Sequence, residues 1–594
     1  MIKTGNMKKI TFQYILVVAG MVTMALTGCN KLVDLKPLNE ISDVDYWKTA
    51  DQYKLAANEF YTYLITFGNV LYDPVPNTST GSPHADIRSD LTASRSAFSN
   101  GTNALPTTDV NWDNGYTRLR AINYLLAMDS ADINNTLRGE RLLYVAEAKF
   151  FRAYVYFDLL QQFGGVPIVT KPLNQNSPEL QAKRNTRDEV VDLIVKDLED
   201  AIALLPLESA IAAGNKGRIS KGAAQALLGR VTLYEGTWLK FRSGDANRYN
   251  SLLDKSIAAS NTVITSTQYQ LFAPAVLGDS AQKYMFILED EKSNPAGLNK
   301  STNKEYILAN RYSFALRQIR NNVTHTLLGG GVSKKFADMY LCQDGLPISI
   351  SPLFQGYAMT RSEFQNRDNR MRYTMMIDSN YYWDNENPGA RTTWTGDAAD
   401  IASSRGRHNA ASGTGYQSQK WGTERRLNDN EEGYDWPVIR LAEVYLNYAE
   451  ALYERNGSIG DADLDKSLNL VRNRVNKTMP KLSNSLVTTN GLDMRTEIRR
   501  ERTLELFLEG FRIDDLKRWK TAETEMPMNI LGVKWTGTRW QTRWVVSGGA
   551  PYTLDANGYL IFEGSRKWAQ KNYLLPIPTQ QRTLNTNLDQ NPDW

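Results

Sequence analysis

Histidine and cysteine, two residue types that often perform catalysis, are scarce in this sequence. Its only histidines are His84, His325 and His408, and its only cysteines are Cys29 and Cys342. It contains no HExxH zinc motif, no GxSxG nucleophile elbow and no GxxxxGK[ST] phosphate loop, and no GxGxxG follows a strand pattern. Because these motifs are absent and histidine and cysteine are rare, the sequence favours binding over catalysis. It predicts neither a metal nor a cofactor.

Two acidic stretches resemble functional sites only superficially. Asp461-Ala-Asp463-Leu-Asp465 begins like a calcium loop, but Lys466 replaces the turn glycine and Arg472 replaces the bidentate glutamate. A second stretch alternates arginine and glutamate on a predicted helix that also has leucine and phenylalanine at core spacing. That pattern predicts ion pairs between neighbouring helical turns instead of catalytic carboxylates. Its members are Arg499, Arg500, Glu501, Arg502, Glu505, Glu509 and Arg512.

The elements that must position any site are mostly helices. Apolar residues at steps of three and four predict helices over 45–67, 112–128, 141–163, 187–205, 220–238, 249–264, 434–455, 463–476 and 494–519. Gly164-Gly165 followed by Pro167 predicts the end of the third helix. Segments 141–205, 220–264 and 434–476 look like degenerate tetratricopeptide pairs, in which Ala or Gly lets two helices approach closely.

The connections between these helices are long and rich in aromatic residues. Segments 68–111, about 267–332 and 341–433 show little helical periodicity, and they contain Tyr72, Tyr306, Tyr312, Tyr381, Tyr382, Trp383, Trp394, Tyr416 and Trp421. Since disordered chains are depleted in aromatics, we expect ordered excursions that form an irregular subdomain. Residues 530–572 are predicted to add short strands.

The predicted fold class is therefore mainly α. Tetratricopeptide-like helix pairs form a scaffold over about 29–67, 112–266 and 434–520. A loop-rich ligand-binding part with a few short strands covers about 68–111, 267–433 and 521–594.

The N-terminus has the pattern of a lipoprotein signal peptide over residues 1–28. Lys8 and Lys9 precede an apolar run over 10–26, and Leu26-Thr27-Gly28 leads directly to Cys29. The run is shorter and more polar than a membrane span. In this reading the Cys29 thiol is acylated and anchors the mature chain in lipid. The alternative is an ordinary signal peptide with a chance cysteine.

The charge balance argues against nucleic-acid binding. Lysine and arginine total 69 against 65 acidic residues, a formal net charge of +4. Three of these lysines lie within the signal segment, so the remaining count is 66 − 65 = +1. A surface that follows a phosphate backbone needs a larger cationic excess.

A series of short motifs runs along nearly the whole mature chain. They are Cys29 with LKPL (35–38) and DYW (45–47), AEAKFFRAYVYFDLL (146–160), GGVP (164–167), GRISKGAA (217–224), VIRLAEVYLNYAEA (438–451), EIRRER (497–502), EGFR (509–512), DLKRW (515–519), YLLPIP (573–578) and NPDW (591–594). In this order the motifs resemble the SusD/RagB family of outer-membrane glycan-binding lipoproteins. The resemblance implies a helical fold with four tetratricopeptide-like units. It also implies surface display at the outer membrane, a SusC-like TonB-dependent transporter as partner, and an oligosaccharide ligand.

A sugar site needs flat aromatic rings against the apolar face of the pyranose, surrounded by polar side chains that bind its hydroxyls. The long loops contain such residues, although the family's binding loops share no motif that can be matched position by position. We therefore predict ligand contacts by chemistry, at Tyr72, Asp73, Asn77, Arg88 and Asp90 in the first loop and at Arg320, Asn322, Tyr382, Trp383, Asn385 and Trp394 in the later loops. For each aromatic residue the alternative is a loop anchor packed on the scaffold.

The leading hypothesis is a lipid-anchored binding protein, not an enzyme, that captures an oligosaccharide and passes it to the transporter. Two alternatives stay open. A surface-anchored glycoside hydrolase would need two carboxylates facing each other across a cleft. A protein-binding scaffold of the tetratricopeptide type would have no affinity for sugar.

Overall fold

The computed structural model describes residues 46–67, 86, 88–93, 97–131, 138–319, 331–377, 413–423, 431–543 and 549–594. The chain divides into two units, Met1–Leu55 and Ala56–Trp594. In the described part of the first unit, the Trp47 ring meets Tyr46 and Tyr53 edge-on, with centroids 4.9 and 5.0 Å apart. None of the described helices is both long and apolar enough to cross a membrane.

Helices dominate the described chain, so the mainly α prediction is confirmed. They are α1 (Ala50–Phe60), α2 (Val110–Ala131), α3 (Arg138–Phe163), α4 (Arg187–Leu204), α5 (Lys221–Lys240), α6 (Ala246–Thr265), α7 (Ala281–Phe286), α8 (Lys334–Met339), α9 (Asn369–Thr374), α10 (Leu441–Asn456), α11 (Asp461–Asp465), α12 (Leu468–Arg472), α13 (Asn484–Thr489), α14 (Met494–Glu505), α15 (Arg512–Arg518), α16 (Ala522–Glu525), α17 (Arg539–Arg543) and α18 (Thr579–Leu584).

The long helices stack in chain order. Helix α2 packs on α3, α3 on α4, α4 on α5 and α5 on α6, and α10 then contacts both α6 and α14. Small residues make the close crossings possible. A Cβ at Gly229 of α5 would lie 2.8 Å from the Ser260 Oγ of α6, and one at Gly115 of α2 would lie 2.8 Å from Leu159 Cδ2 of α3. This is the packing predicted for the first helix pairs.

Side-chain caps begin several of these helices. The Thr186 hydroxyl accepts the Glu189 N–H while the Glu189 carboxylate accepts the Thr186 N–H, a capping box at the start of α4. Ser220 and Asp245 cap α5 and α6 in the simpler one-sided way. These local signals explain why helices α2 to α6 begin and end close to the predicted positions.

Four predicted helices are wrong in extent. Residues 434–455 contain a strand before α10 begins at Leu441, and 463–476 is interrupted between α11 and α12 at Ser467. The predicted helix over 494–519 breaks between α14 and α15, where Leu508 and Gly510 have φ of 56° and 88°. Apolar residues continue at helical spacing through that break, so periodicity alone cannot detect it. Helix α1 is also shorter than the predicted 45–67.

In the part of the chain that the structure describes, four short strands form two antiparallel pairs. Strand β1 (Tyr306–Asn310) pairs with β2 (Trp436–Arg440), and β3 (Ile530–Lys534) pairs with β4 (Tyr559–Glu563). The second pair confirms the strands predicted within 530–572. The first pair was not predicted. Every residue of β2 is buried, so this segment lacks the alternation that would mark it as a strand.

Candidate functional site

Backbone hydrogen bonds join the described residues that flank 94–96, 320–330, 378–412 and 424–430. Segments 320–330 and 378–412 contain six of the eleven predicted ligand contacts, so we call these flanking residues the loop bases. These bonds run from Ala93 N–H to Gly331 O (2.9 Å), Val332 N–H to Tyr416 O (3.0 Å), Met376 N–H to Gln417 O (2.9 Å) and Ile319 N–H to Glu432 O (2.7 Å).

A buried aromatic group, here called the root cluster, lies at the same place. It consists of Phe67, Tyr312, Trp421, Tyr434 and Trp436. The Phe67 ring meets the rings of Tyr312, Trp421 and Trp436 edge-on at 5.6, 5.1 and 4.9 Å, and the two indoles stack at 4.8 Å. Because all five rings are buried, they anchor the loops and do not offer a face to a ligand.

A lysine fixes the polar side of this anchor. The Lys300 ammonium donates to the backbone oxygens of Tyr312 (2.7 Å) and Gly433 (2.6 Å), and to Asp435 Oδ1 (2.5 Å). The Asp435 carboxylate also accepts the Tyr312 N–H at 2.9 Å. Gly433 is packed so closely that a Cβ would lie 2.3 Å from Phe314 N. Ionic, backbone and aromatic contacts together therefore hold the residues on either side of the loop bases in place.

A rigid turn beside the root cluster exposes apolar side chains. Ser313 and Arg317 exchange backbone hydrogen bonds of 2.7 and 2.9 Å, and the Arg317 guanidinium lies 4.4 Å from the centroid of the Tyr312 ring. Between them Phe314 is 46% exposed and Leu316 is 91% exposed. Single exposed apolar residues are common, but Leu316, which is almost fully exposed on this turn, is a candidate apolar contact for a ligand. Its exposure cannot be read from the sequence.

Only two of the predicted ligand contacts lie within the described residues, and both are buried. Arg512 binds Asp90 through two bonds of 2.8 Å, and Lys335 binds the same carboxylate. Burial opposes ionisation of Asp90, but these two cations hold its pKa well below the usual range. The Arg88 guanidinium lies over the Phe98 ring at 4.8 Å, and burial lowers its pKa to about 10. Both side chains therefore have a structural role here, because neither reaches solvent.

The remaining predicted contacts stay predictions. Tyr72, Asp73, Asn77, Arg320, Asn322, Tyr382, Trp383, Asn385 and Trp394 lie outside the described residues, as does the predicted lipidation site Cys29.

The acidic and basic residues of α14 and its surroundings form a buried ionic network. Glu505 accepts hydrogen bonds from Arg370 (3.0 Å), Arg440 (2.7 Å) and Arg474, which hold its pKa well below the usual range against the effect of burial. Arg440 also binds Glu509. These carboxylates are at most 4% exposed, so a substrate cannot reach them.

The partners in this network differ from the prediction. Most come from distant elements instead of neighbouring helical turns, although Glu497 and Arg500 do pair within α14. Among the described residues, no group of His, Cys, Asp and Glu is arranged to hold a metal ion.

Comparison with known proteins identifies the family. A model described as the SusD family matches residues 289–594, slightly more than half of the chain. The chain belongs to the SusD family. A second model, described as starch-binding and associating with the outer membrane, matches residues 72–233 of this SusD-family protein. The resemblance drawn from the sequence segments is thereby confirmed.

Individual relatives of this SusD-family protein are distant. SusD-like protein P38 of Formosa agariphila is 24% identical over 523 residues, which cover 85% of this chain and 91% of P38. A SusD-like protein of Bacteroides ovatus is 22% identical over 81% of this chain and 79% of its own length.

Among solved structures, a SusD-like carbohydrate-binding protein of Bacteroides fragilis aligns with a TM-score of 0.71 at 23% identity, over 91% of this chain and 99% of its own. Surface glycan-binding protein A of Bacteroides fluxus aligns with a TM-score of 0.56 at 18% identity, over 92% and 100%. At these identities the structural matches establish the fold.

Proposed function

We propose that this SusD-family protein is a lipid-anchored glycan-binding protein of the outer-membrane surface. It captures an oligosaccharide and delivers it to a TonB-dependent, SusC-like transporter. The observation that carries this proposal is the family match over residues 289–594, supported by relatives whose names refer to carbohydrate or glycan binding. The second family model, which refers to the outer membrane, supports the location.

The proposed sugar site lies on the loops that leave the root cluster. Trp383 and Trp394 are the leading candidates for stacking on a sugar ring, with Tyr72 and Tyr382 as further aromatics. The convergence of the loop bases supports this placement, because residues far apart in sequence can then contact one ligand. Leu316 is exposed on the turn beside the same bases and adds an apolar contact.

Binding without catalysis is part of the proposal. A glycoside hydrolase needs two accessible carboxylates about 5–10 Å apart. In the part of the chain that the structure describes, the conspicuous carboxylates near α14 are buried in ion pairs, which supports a structural role for them.

The decisive experiment combines a glycan array with calorimetry on the mature protein. We expect affinity for at least one oligosaccharide and no release of reducing ends during prolonged incubation. Released reducing ends would favour the hydrolase, and a lack of affinity across the array would favour the protein-binding scaffold.

Substitutions then locate the site. Trp383→Ala and Trp394→Ala should each weaken glycan binding by about 1–3 kcal/mol, because each removes a stacking face, while the melting temperature stays nearly constant. Trp421→Ala serves as the contrasting variant: its ring is buried in the root cluster, so its loss should lower the melting temperature. Lower stability with retained affinity in the first two variants would make those rings loop anchors.

A further inference from the structure

A polar cleft in the scaffold has a volume of about 600 Å³. Three segments form most of it: the connection 208–218 between α4 and α5, residues 267–269 after α6, and residues 300–311, which include β1. Met285, Leu288 and Asp435 complete the lining. Every lining residue is described, and the predicted sugar contacts lie elsewhere. The cleft is therefore a separate candidate for ligand binding.

Basic side chains outnumber acidic ones in this cleft. The described lining contains two carboxylates, Glu208 and Asp435, and five cations, which are Lys216, Arg218, Lys300, Lys304 and Arg311. The whole chain is nearly neutral, so this local excess is not a consequence of overall composition.

Three of the five cations already have acidic partners. Arg218 binds Glu147 through two bonds, at 2.8 and 2.5 Å. Lys300 binds Asp435, and Lys216 binds Glu208 at 3.1 Å. The positive charge of each of these three side chains is therefore already balanced by a carboxylate of the protein.

Arg311 and Lys304 have no acidic partner among the described residues. Arg311 is nevertheless held in place, because its NH1 donates to Lys216 O at 2.7 Å. Its aliphatic part lies over Gly217, where a Cβ would come within 2.7 Å of Arg311 Cδ. The remaining guanidinium nitrogens of Arg311 and the ammonium of Lys304 make no hydrogen bond to the described chain. They are exposed donors at the edge of the cleft.

The neutral polar groups of the cleft are also donors. The side-chain oxygen of Gln268 accepts the Ser209 N–H, and that of Asn303 accepts the Glu305 N–H, both at 3.0 Å. Each amide oxygen therefore already accepts one hydrogen bond, and the NH2 group of each side chain donates none to the described chain.

The two tyrosines complete the lining with aromatic surface. The hydroxyl of Tyr269 is hydrogen-bonded to Ser220 Oγ (2.9 Å), and that of Tyr306 donates to Met285 O (3.1 Å). Because both hydroxyls are bound to the scaffold, the rings are what these residues contribute to the cleft.

We propose that this cleft is a second ligand site, which binds the carboxylate or sulfate group of an acidic sugar residue. Arg311 and Lys304 supply the positive charge, Gln268 and Asn303 supply neutral donors, and the tyrosine rings provide apolar contact for the sugar. Charge-assisted hydrogen bonds to an oxyanion are stronger than neutral ones, and arginine suits a planar or tetrahedral oxyanion. The inference that the cleft binds an oxyanion follows from its lining alone. The inference that this oxyanion belongs to a sugar rests on the proposed function.

The test uses calorimetry on the mature protein with three probes: trigalacturonate, a sulfated disaccharide and neutral maltotriose. The variant is Arg311→Gln with Lys304→Gln, and the control is Lys183→Gln with Lys477→Gln. The control removes the same charge at two exposed lysines outside the cleft that form no ion pair within the described chain. All four positions are exposed, so folding should not change.

We expect the cleft variant to bind an acidic probe at least tenfold more weakly at low salt, equivalent to 1.4 kcal/mol. The control should bind within twofold of the parent. The difference should shrink as salt is added, because exposed charges are screened. Binding of trigalacturonate alone identifies a carboxylate ligand, binding of the sulfated probe alone identifies a sulfate, and binding of both identifies a general oxyanion site.

Unchanged affinity in the cleft variant, or equal loss in the control, would overturn the inference. So would a loss of acidic-probe binding in Trp383→Ala that the cleft variant does not share, since the loops would then bind the acid. If neutral glycans bind but no acidic probe does, this inference fails and the proposed function stands. If an acidic probe binds through Arg311 and Lys304 while no neutral glycan binds, the loop site fails and the cleft stands.

Discussion

Asp90 and Arg512 are 422 positions apart in the chain and form a two-point ion pair in the interior. Both side chains are buried, so removing Asp90 leaves the Arg512 guanidinium in the interior without its acidic partner. Such a loss typically costs about 3–5 kcal/mol. At the scale of single residues, the segment 86–93 is therefore attached to the scaffold by this pair and by the neighbouring Asp86.

Asp90→Asn should lower the free energy of unfolding at neutral pH by about 3 kcal/mol, because the charge that balances Arg512 is lost. The pKa of Asp90 lies below that of the unfolded chain, so the carboxylate stabilises the fold above about pH 4, and its contribution declines as the pH falls further. Denaturant unfolding at several pH values measures this. The control is Asp188→Asn, whose side chain is 56% exposed and which should change stability by less than about 0.5 kcal/mol. Equal effects in the two variants would contradict the role of Asp90.

Asp86 predicts the opposite pH dependence. It is fully buried, and although the backbone N–H groups of Arg512 (2.9 Å) and Gly510 (3.3 Å) donate to it, burial raises its pKa to about 7. The folded protein thus binds this proton more tightly than the unfolded chain, and ionised Asp86 costs stability as the pH rises toward 7. Relative to the parent, Asp86→Asn should gain about 2 kcal/mol of stability between pH 5 and pH 8.

The measurement for Asp86 is the difference between the variant's and the parent's free energies of unfolding across that range. Asp514 and Glu363, whose pKa values burial raises to about 6 and about 7, titrate in both proteins and cancel in the difference. A flat difference would show that Asp86 does not titrate there.

At the scale of elements, the break between α14 and α15 has a clear structural consequence. Glu505 is the last residue of α14, and Glu509 lies in the connection that contains Leu508 and Gly510. Both carboxylates contact Arg440 at the end of β2. The end of α14 and the break after it are therefore tied to the strand pair β1–β2.

A substitution in helix α10 tests whether the scaffold helices stack as described. Ala449 is completely buried, and α10 contacts both α6 and α14. Ala449→Phe should overpack this contact and destabilise the protein by about 1–3 kcal/mol, seen as a lower melting temperature. Ala258→Phe on the exposed face of α6 is the matched control and should melt close to the parent. An unchanged melt for Ala449→Phe would mean that α10 does not pack as described.

At the scale of the whole molecule, the proposed function joins a predicted anchor, a helical scaffold and loops that leave it at the root cluster. If acylated Cys29 is the tether, Cys29→Ala should release soluble protein or leave the precursor unprocessed at the inner membrane. Cell fractionation followed by immunoblotting measures this. Cys342→Ala is the control, because that thiol is buried and should not affect location. Outer-membrane fractionation of Cys29→Ala like that of the parent would refute the lipidation site.

Local signals in the sequence were enough to predict several helices and the family. Helices α2 to α6 follow from apolar spacing, and the end of α3 at Phe163 follows from Gly164, whose φ is 78°. The motif segments were specific enough to indicate the family because they occur in a fixed order along nearly the whole chain.

Features that depend on partners distant in sequence could be seen only in the packed chain. Arg88 and Asp90 look like loop residues available to a sugar, yet burial and Arg512 make them structural. Strand β2 could not be separated from α10, because β1, the partner that makes it a strand, lies about 130 residues earlier. The cleft around Arg311 depends on which cations already have acidic partners. Spacing reports on neighbours within a helix or strand, whereas burial and ion pairing are properties of the packed chain.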